Sequence, residues 1–522
     1  MVRRGLRTTV ALAASVLPTY VQDPPRPSPL DSVDLRTISA VVTVFRASRD
    51  SVWQGYDLSL QPFLVYRPGR WAVVLNPPGE IEDYRPYPES WPRLGARALL
   101  HVGTTPGLVG QLEFDFPQGP ITMVAIPLPD DLPDHAVARA RSLFAFVVHE
   151  AFHQFQRSSF GEANEPSEEQ YPILDTENGA RVALEMHILA DALRAVERGD
   201  LADSRRLTRL FLAQRRFRWQ HASPLVREFE RAKELSEGTA KYVETRLVAH
   251  VAVLCHTGGF TDSDVCPSFR SVTGPGYLRM DFASRLTDGA LSPADIPRNR
   301  IYPTGAAMGV LLDFFGVEWK HRAAHLPDSS TLADLLTLSF TEPGSRLESL
   351  RKEAERRYDL PRLQRRTQTL ADAYVREADD AIRAFEAQPG YRVEVQLPAA
   401  GTSRSRSSTA RRWVVDNGRR VFSSEFLAYT LRRPDQQVFL SVQGKAVLDD
   451  VMPQGERRVA FFVPSVDSIR VDGMPVAVNS ATDYRFEALR MNGAGFSVDV
   501  RVPGTMIVSA GRVAVRLHPR SP

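Results

Sequence analysis

The hydrophobic period of this chain changes twice along its length, and that double switch restricts its architecture more than any other feature. From about 38 to 127 the apolar residues alternate or run in short blocks: ISAVVTVFRAS, LSLQPFLVYRPGRWAVVLN, ARALLHVG and ITMVAIPLP. Pro-Gly and Pro-Gln-Gly connectors separate them, which is how strands and their turns are written. From about 134 the period becomes helical. DHAVARARSLFAFVVHEAFHQFQ predicts a helix of about six turns with Asp134 as its N-cap. Further helices are expected at 177–198, 201–220, 225–254 and 304–326, and others across 330–388. From about 391 alternation returns in YRVEVQLP, RRWVVDNGRRVF, QQVFLSVQGKAVL, RRVAFFVP, SIRVDGMPVAV, FSVDVRVP and RVAVRLHP. Asp-Asn-Gly and Val-Asp-Gly mark hairpins there, and GTSRSRSSTARR is expected to be a mobile loop.

Segregated strands and helices of this kind define an α+β multidomain protein. We expect a β-rich region over 31–133 and an α-helical domain over 134–389, with an inserted helical hairpin at about 177–220. A C-terminal β-domain of sandwich-like type should follow over 390–522. At 522 residues the chain is long enough for several cores. A formal net charge of +3 gives no reason to expect a nucleic-acid partner.

The first 30 residues read differently. MVRRGLR is a basic head, TTVALAASVL a short apolar centre, and QDPPRPSPLD a Pro-rich linker. This is the layout of a secretory signal peptide, too short to span a bilayer. No later segment supplies the ~18 consecutive apolar residues of a spanning helix, so an extracytoplasmic protein, periplasmic or secreted, is expected. Cys255 and Cys266 are the two cysteines and bracket the loop-like CHTGGFTDSDVC. In an oxidising compartment they should form a disulfide that closes the loop.

One segment violates ordinary core rules. In FVVHEAFHQFQ, residues 146–156, two histidines and a glutamate stand inside an apolar run. Burying such groups without partners costs several kcal/mol. His149-Glu150-Ala151-Phe152-His153 is the H-E-x-x-H pattern, and residues four apart share one helix face. Two imidazoles so placed can grip one Zn²⁺ ion, while Glu150 reaches a water beside it without ligating. A catalytic zinc requires a third protein ligand and an open position. The metzincin extension requires Gly and then His in the next turns, and neither follows His153, so that class is excluded. DTENGAR offers Glu177 and ELSEGTAKYVETR offers Glu237.

LSEGTAKYVE resembles the third-ligand helix of the aminopeptidase N family, N-E-G-x-A-x-Y-x-E, with Glu237, Gly238, Ala240, Tyr242 and Glu244 at the matching places. Ser236 stands where the family has Asn. The resemblance implies a gluzincin: a zincin-like, thermolysin-like catalytic domain binding one Zn²⁺ through His149, His153 and Glu237. Glu177 is held in reserve, and Glu244 would support the site from behind. The segment RIYPTGAAMGVLLDFFG resembles the family's Y-x-x-G-[AF], which implies that Tyr302 stabilises the oxyanion. Arg300, beside it, has no assigned task. Two departures stand out. More than eighty residues separate His153 from Glu237, and there is no G-x-M-E-N stretch, whose glutamate holds a substrate's amino terminus. The expected function is therefore zinc-dependent hydrolysis of peptide or protein substrates, with Glu150 as general base. An aminopeptidase with a different amine-binding acid, or a non-catalytic binding protein on the zincin scaffold, are the alternatives.

Overall fold

The computed structural model describes residues 29–518 except 49–51, 58, 60, 90–93, 104–112, 116–121, 129–135, 161–165, 260–265, 271, 327–329, 341–343, 399–402, 408–410, 416–419, 427, 433–437, 453–454 and 478–481. The leader expected at 1–30 therefore falls almost wholly outside the described residues, as does Asp134.

The first element is a helix, α1 (Ser32–Ala47), where the sequence predicts a strand in ISAVVTVFRAS. Its β-branched run reads as extended, but Asp31 caps the start by accepting from the amides of Val33 and Asp34 at 2.8 and 2.7 Å. Ile38, Val41, Val42 and Phe45 then fall on one helical face and are buried. Cap and packing outweigh propensity, which is a weak prior.

Six strands follow in one sheet: β1 (Phe63–Arg67), β2 (Trp71–Leu75), β3 (Arg85–Pro86), β4 (Ala98–Val102), β5 (Glu113–Asp115) and β6 (Thr122–Pro127). Their spatial order is β3-β4-β2-β1-β6-β5, and the β1–β6 pair is parallel. Gly69, at φ 72°, follows Pro68 in the β1–β2 turn, as a type II turn demands. Both faces of the sheet are covered. Phe63, Val65, Val73 and Leu100 face the helices, while Leu64, Tyr66, Val74 and Leu99 belong to a smaller core on the other side. Arg67 closes the layer with a buried bidentate pair to Asp34 of α1, at 2.7 and 2.8 Å.

The helical layer begins with α2 (Ala136–Ser159) and the hairpin of α3 (Thr176–Glu197) and α4 (Leu201–His221). Asp175 and Asp200 cap that pair. The α3 helix is not an appendage: fourteen of its 22 residues are buried. Next come α5 (Pro224–Lys233), a π turn at Glu234–Gly238, and α6 (Thr239–Thr257), which together form one continuous helical rod. The remaining helices are α7 (Cys266–Phe269), α8 (Gly274–Arg285), α9 (Ile301–Phe314), α10 (Lys320–Ala324), α11 (Leu332–Thr337), α12 (Gly344–Arg357) and α13 (Leu360–Glu386). Cys255 and Cys266 are bonded, tying the end of α6 to α7. Among the described residues no helix is long and apolar enough to cross a membrane.

The described residues between 391 and 517 form two sheets, of eight and seven strands. Val393, Val395 and Phe461 of the first meet Leu440, Phe496 and Val498 of the second in a shared core. The eight-stranded sheet also uses its outer face. There Phe422 and Phe462 pack on Phe385 of α13, ring centres 5.3 and 5.1 Å apart, so this sheet joins the core of the helical layer. One sequence expectation fails here. Ser403–Ser407, within the stretch predicted as a mobile loop, is a strand paired antiparallel with Ala428–Arg432. Alternating Ser and Arg carry no apolar signal, yet an edge strand needs only backbone partners.

Candidate metal centre

An aromatic layer fixes α2. The Val148 carbonyl accepts from the buried Tyr56 hydroxyl at 2.9 Å, and the Phe152 ring lies 5.1 Å from both Trp53 and Tyr56. The opposite face of the same helix carries His149, which is 6 % exposed, and half-buried Glu150 and His153. The apolar residues around the histidines are thus the helix's anchorage, and the histidines face α6.

Three donor atoms converge between the helices. His149 Nε2 and His153 Nε2 are 3.2 Å apart, and Glu237 Oε2 is 3.2 and 3.1 Å from them. Ligand atoms of a tetrahedral Zn²⁺ at ~2.0–2.1 Å stand about 3.3–3.4 Å from one another. The donor set fits that ion in element type, number and spacing. His149, His153 and Glu237 are the one group of potential metal ligands of this kind among the described residues.

Each imidazole is oriented from behind. His149 Nδ1 lies 3.4 Å from Glu244 Oε2. Glu244 is buried, and its other oxygen accepts from Lys241 at 2.6 Å and from the Tyr277 hydroxyl at 2.9 Å. His153 Nδ1 is 2.7 Å from Gln156 Oε1. The Gln156 amide is fixed in turn, because its Nε2 donates to the Ser236 carbonyl at 2.8 Å and to Thr239 Oγ1 at 2.7 Å. Each Nδ1 faces an acceptor, so with a cation held between the two Nε2 atoms each ring would keep its remaining proton on Nδ1. Sequence reasoning named Glu244 but missed Gln156. Its spacing, three residues after His153 on the same helix, was the available signal.

The electrostatics favour a cation here. Burial opposes charge on His149, yet the carboxylates of Glu237 and Glu244 outweigh it and lift its pKa to about 9. Burial likewise favours neutral Glu237, but the two histidines hold it well below the usual carboxylate range. Glu244, also penalised by burial, is kept ionised by Lys241 and His149. Carboxylates that stabilise a protonated ring stabilise a divalent ion in the same place.

The π turn delivers Glu237. Its wider coil lets Glu234 point back into the core while Glu237 points forward to the histidines. Behind it lies a buried ionic set in which Arg215, Arg218 and Arg300 balance Glu185, Glu230 and Glu234. Arg300 thereby acquires a task, bonding Glu230 and donating to the Tyr171 hydroxyl at 3.3 Å.

Two glycines set the approach of α9. A Cβ on Gly305 would fall 2.5 Å from the Gly238 Cα and 2.7 Å from the Glu234 carbonyl oxygen. A Cβ on Gly238 would fall 2.6 Å from the Gly305 Cα. Backbone lies on backbone, and the first turn of α9 is drawn against the π turn. Tyr302, in that first turn, stacks on His149 with ring centres 5.5 Å apart. Burial first, and then the nearby carboxylates of Glu237 and Glu150, raise its pKa above the ordinary phenol value. The neighbouring Glu150 carboxylate also helps to raise the pKa of His149.

Glu177, the reserve ligand, stands elsewhere. It is exposed, with Arg181 donating at 2.6 Å and Gln364 at 2.6 Å. Lys241 pairs with Glu244, and Glu237 is left to the histidines and a 3.8 Å contact with Lys233. Compared with protein-family models, curated proteins and solved structures, the chain finds no match in any of the three.

Proposed function

We propose that this chain is an exported, zinc-dependent peptidase of the gluzincin type, with a zincin-like catalytic core in its helical layer. One observation carries the reading: His149 Nε2, His153 Nε2 and Glu237 Oε2 converge within 3.2 Å, with each imidazole oriented by a separate acceptor. When bound, the cation would acidify a water molecule and polarise a scissile carbonyl. Glu150, one position round the helix from His149, takes that water's proton and passes it to the leaving amine. Tyr302 keeps its phenol proton and donates it as a hydrogen bond to the oxygen that gains charge. Glu244 and Gln156 hold the two rings in their ligating tautomer and orientation. Export is supported by the bonded Cys255–Cys266 pair, a modification of oxidising compartments.

The test is metal content followed by turnover. Purified protein should hold one zinc, lose activity on a peptide library to a chelator, and regain it with Zn²⁺. Glu237→Ala should lose the metal. Folded protein that refuses zinc overturns the reading. Peptides blocked at their amino terminus should still be cut, since the chain lacks the family's amine-binding segment.

A further inference from the structure

Glu244 divides its two oxygens between different elements. Its Oε2 lies 3.4 Å from His149 Nδ1 of α2. Its Oε1 accepts from the Lys241 ammonium, one turn earlier on α6, at 2.6 Å, and from the Tyr277 hydroxyl of α8 at 2.9 Å. A carboxylate turns readily about its last bond, because that torsion is broad and two-fold. Only unequal partners keep one particular oxygen on one neighbour. Lys241 alone does not enforce this, since an ammonium has three donors and can serve either oxygen. The phenol supplies a single donor on a rigid ring, and it is the second hand on Oε1.

The place of Tyr277 is set by contacts outside the centre. Thr273, the N-cap of α8, accepts from the Gly276 amide at 3.1 Å and donates to Glu197 of α3 at 2.7 Å. Arg279 pairs with the same Glu197 at 2.8 Å, and Leu278 and Phe282 of α8 are buried. One turn beyond Tyr277, Asp281 lies 3.6 Å from Lys241 and accepts from Arg285 at 2.7 Å. Charges thus alternate from Glu244 through Lys241 and Asp281 to Arg285. Lys241 also sits over the Tyr277 ring, 4.7 Å from its centre. Burial, and then the Glu244 charge, push the Tyr277 pKa up to about 12, so the hydroxyl remains a donor at neutral pH.

We propose that Tyr277 is a positioning residue of the candidate metal centre: its hydroxyl holds Glu244 Oε1, which reserves Oε2 for His149 Nδ1, so that α8 helps to set how tightly the centre retains a cation. This role presupposes the zinc reading above and extends it to a helix that carries none of the candidate ligands. Tyr277→Phe deletes one oxygen and keeps the ring and the charges. Zinc affinity of the full chain, read by competition with a chromophoric chelator, should fall about 10-fold, the low end for an outer partner of a ligand. The visible bands of the Co²⁺-loaded protein, which report ligand geometry, should shift as well. Tyr358→Phe is the control. It removes the same kind of bond, donated to Asp191 at 2.8 Å, with no candidate ligand involved. It should lower stability and leave zinc affinity and the Co²⁺ bands unchanged. Because Tyr277 acts through Glu244, adding Tyr277→Phe to Glu244→Ala should weaken zinc by less than about 2-fold further. Wild-type protein that takes up zinc, with Tyr277→Phe within about 2-fold of it or with losses that add in the double variant, overturns the role of Tyr277 and leaves the zinc reading standing. Wild-type protein that takes up no zinc overturns both.

Discussion

Replacing Gly305 by alanine tests the geometry on which the candidate metal centre rests. The added methyl would sit 2.5 Å from the Gly238 Cα and 2.7 Å from the Glu234 carbonyl oxygen, both backbone atoms that cannot rotate aside. Ordinary carbon contacts begin near 3.4–3.5 Å, so α9 and the π turn must part by about 1 Å. Overpacking of this kind costs about 1–3 kcal/mol of stability. The effect on function should be larger than that suggests. Glu237 lies one residue before Gly238 and Tyr302 three before Gly305, so the shift is transmitted directly to a proposed ligand and to the proposed oxyanion donor. Metal–ligand distances tolerate about 0.2 Å, and a 1 Å misplacement of reacting groups can cost about 100-fold in rate. Gly305→Ala should therefore weaken zinc at least about 10-fold, read by competition with a chromophoric chelator, and lower turnover by about 100-fold. Gly274→Ala is the control. Its methyl would meet Ala249 and Thr245 at 3.6 and 3.8 Å, ordinary contact distances, and should change neither quantity. Wild-type zinc affinity in Gly305→Ala would refute the backbone contact as the determinant of site geometry.

Glu150→Gln should keep stoichiometric zinc and lose at least about 100-fold in turnover; a variant that turns over normally excludes the general-base role. Gln156→Leu should leave the circular dichroism spectrum intact and weaken zinc by about 10–100-fold, the usual worth of an orienting partner. Unchanged affinity would leave His153 oriented by its helix alone. Arg218→Met removes one of the two guanidinium partners of each of the buried Glu185 and Glu230 and should cost about 3–5 kcal/mol in denaturant unfolding, whereas a loss below about 1 kcal/mol would show that partner to be dispensable. Burial opposes ionisation of Glu230, yet Arg218 and Arg300 depress its pKa well below the ordinary value. Its stabilising effect is then complete above the unfolded pKa of ~4.3 and is lost as pH falls through the folded one. Stability should drop on acidification below about pH 4, and Arg218→Met should flatten that drop.

What the sequence could disclose depended on how local each signal was. Helices α3 and α4 follow the periodicity at 177–198 and 201–220 because each carries its own aspartate cap. The Val-Asp-Gly hairpin is equally self-contained, with Asp472 and Gly473 at φ 50° and 82°. Helix α1 was misread because Val41 to Val44 favour extended chain locally, and the packing that overrides them comes from elsewhere. The two histidines were legible because one helical turn brings them together. Glu237, 84 residues beyond His153, was reached through a resemblance and not through any period. The ionic set behind the π turn was illegible for the same reason. RRLTRLFLAQRRFRWQ looks like a solvated basic helix, yet Arg215 and Arg218 are buried because their carboxylates arrive from α3, α5 and the π turn.

The eight-stranded sheet, apolar on both sides, bears on how the protein withstands proteolysis. A protease that nicks the chain between α13 and Tyr391 would sever one covalent link while Phe385 stays wedged between Phe422 and Phe462. The two pieces should remain clasped and copurify, so a doublet on a denaturing gel would misrepresent a particle that is still whole.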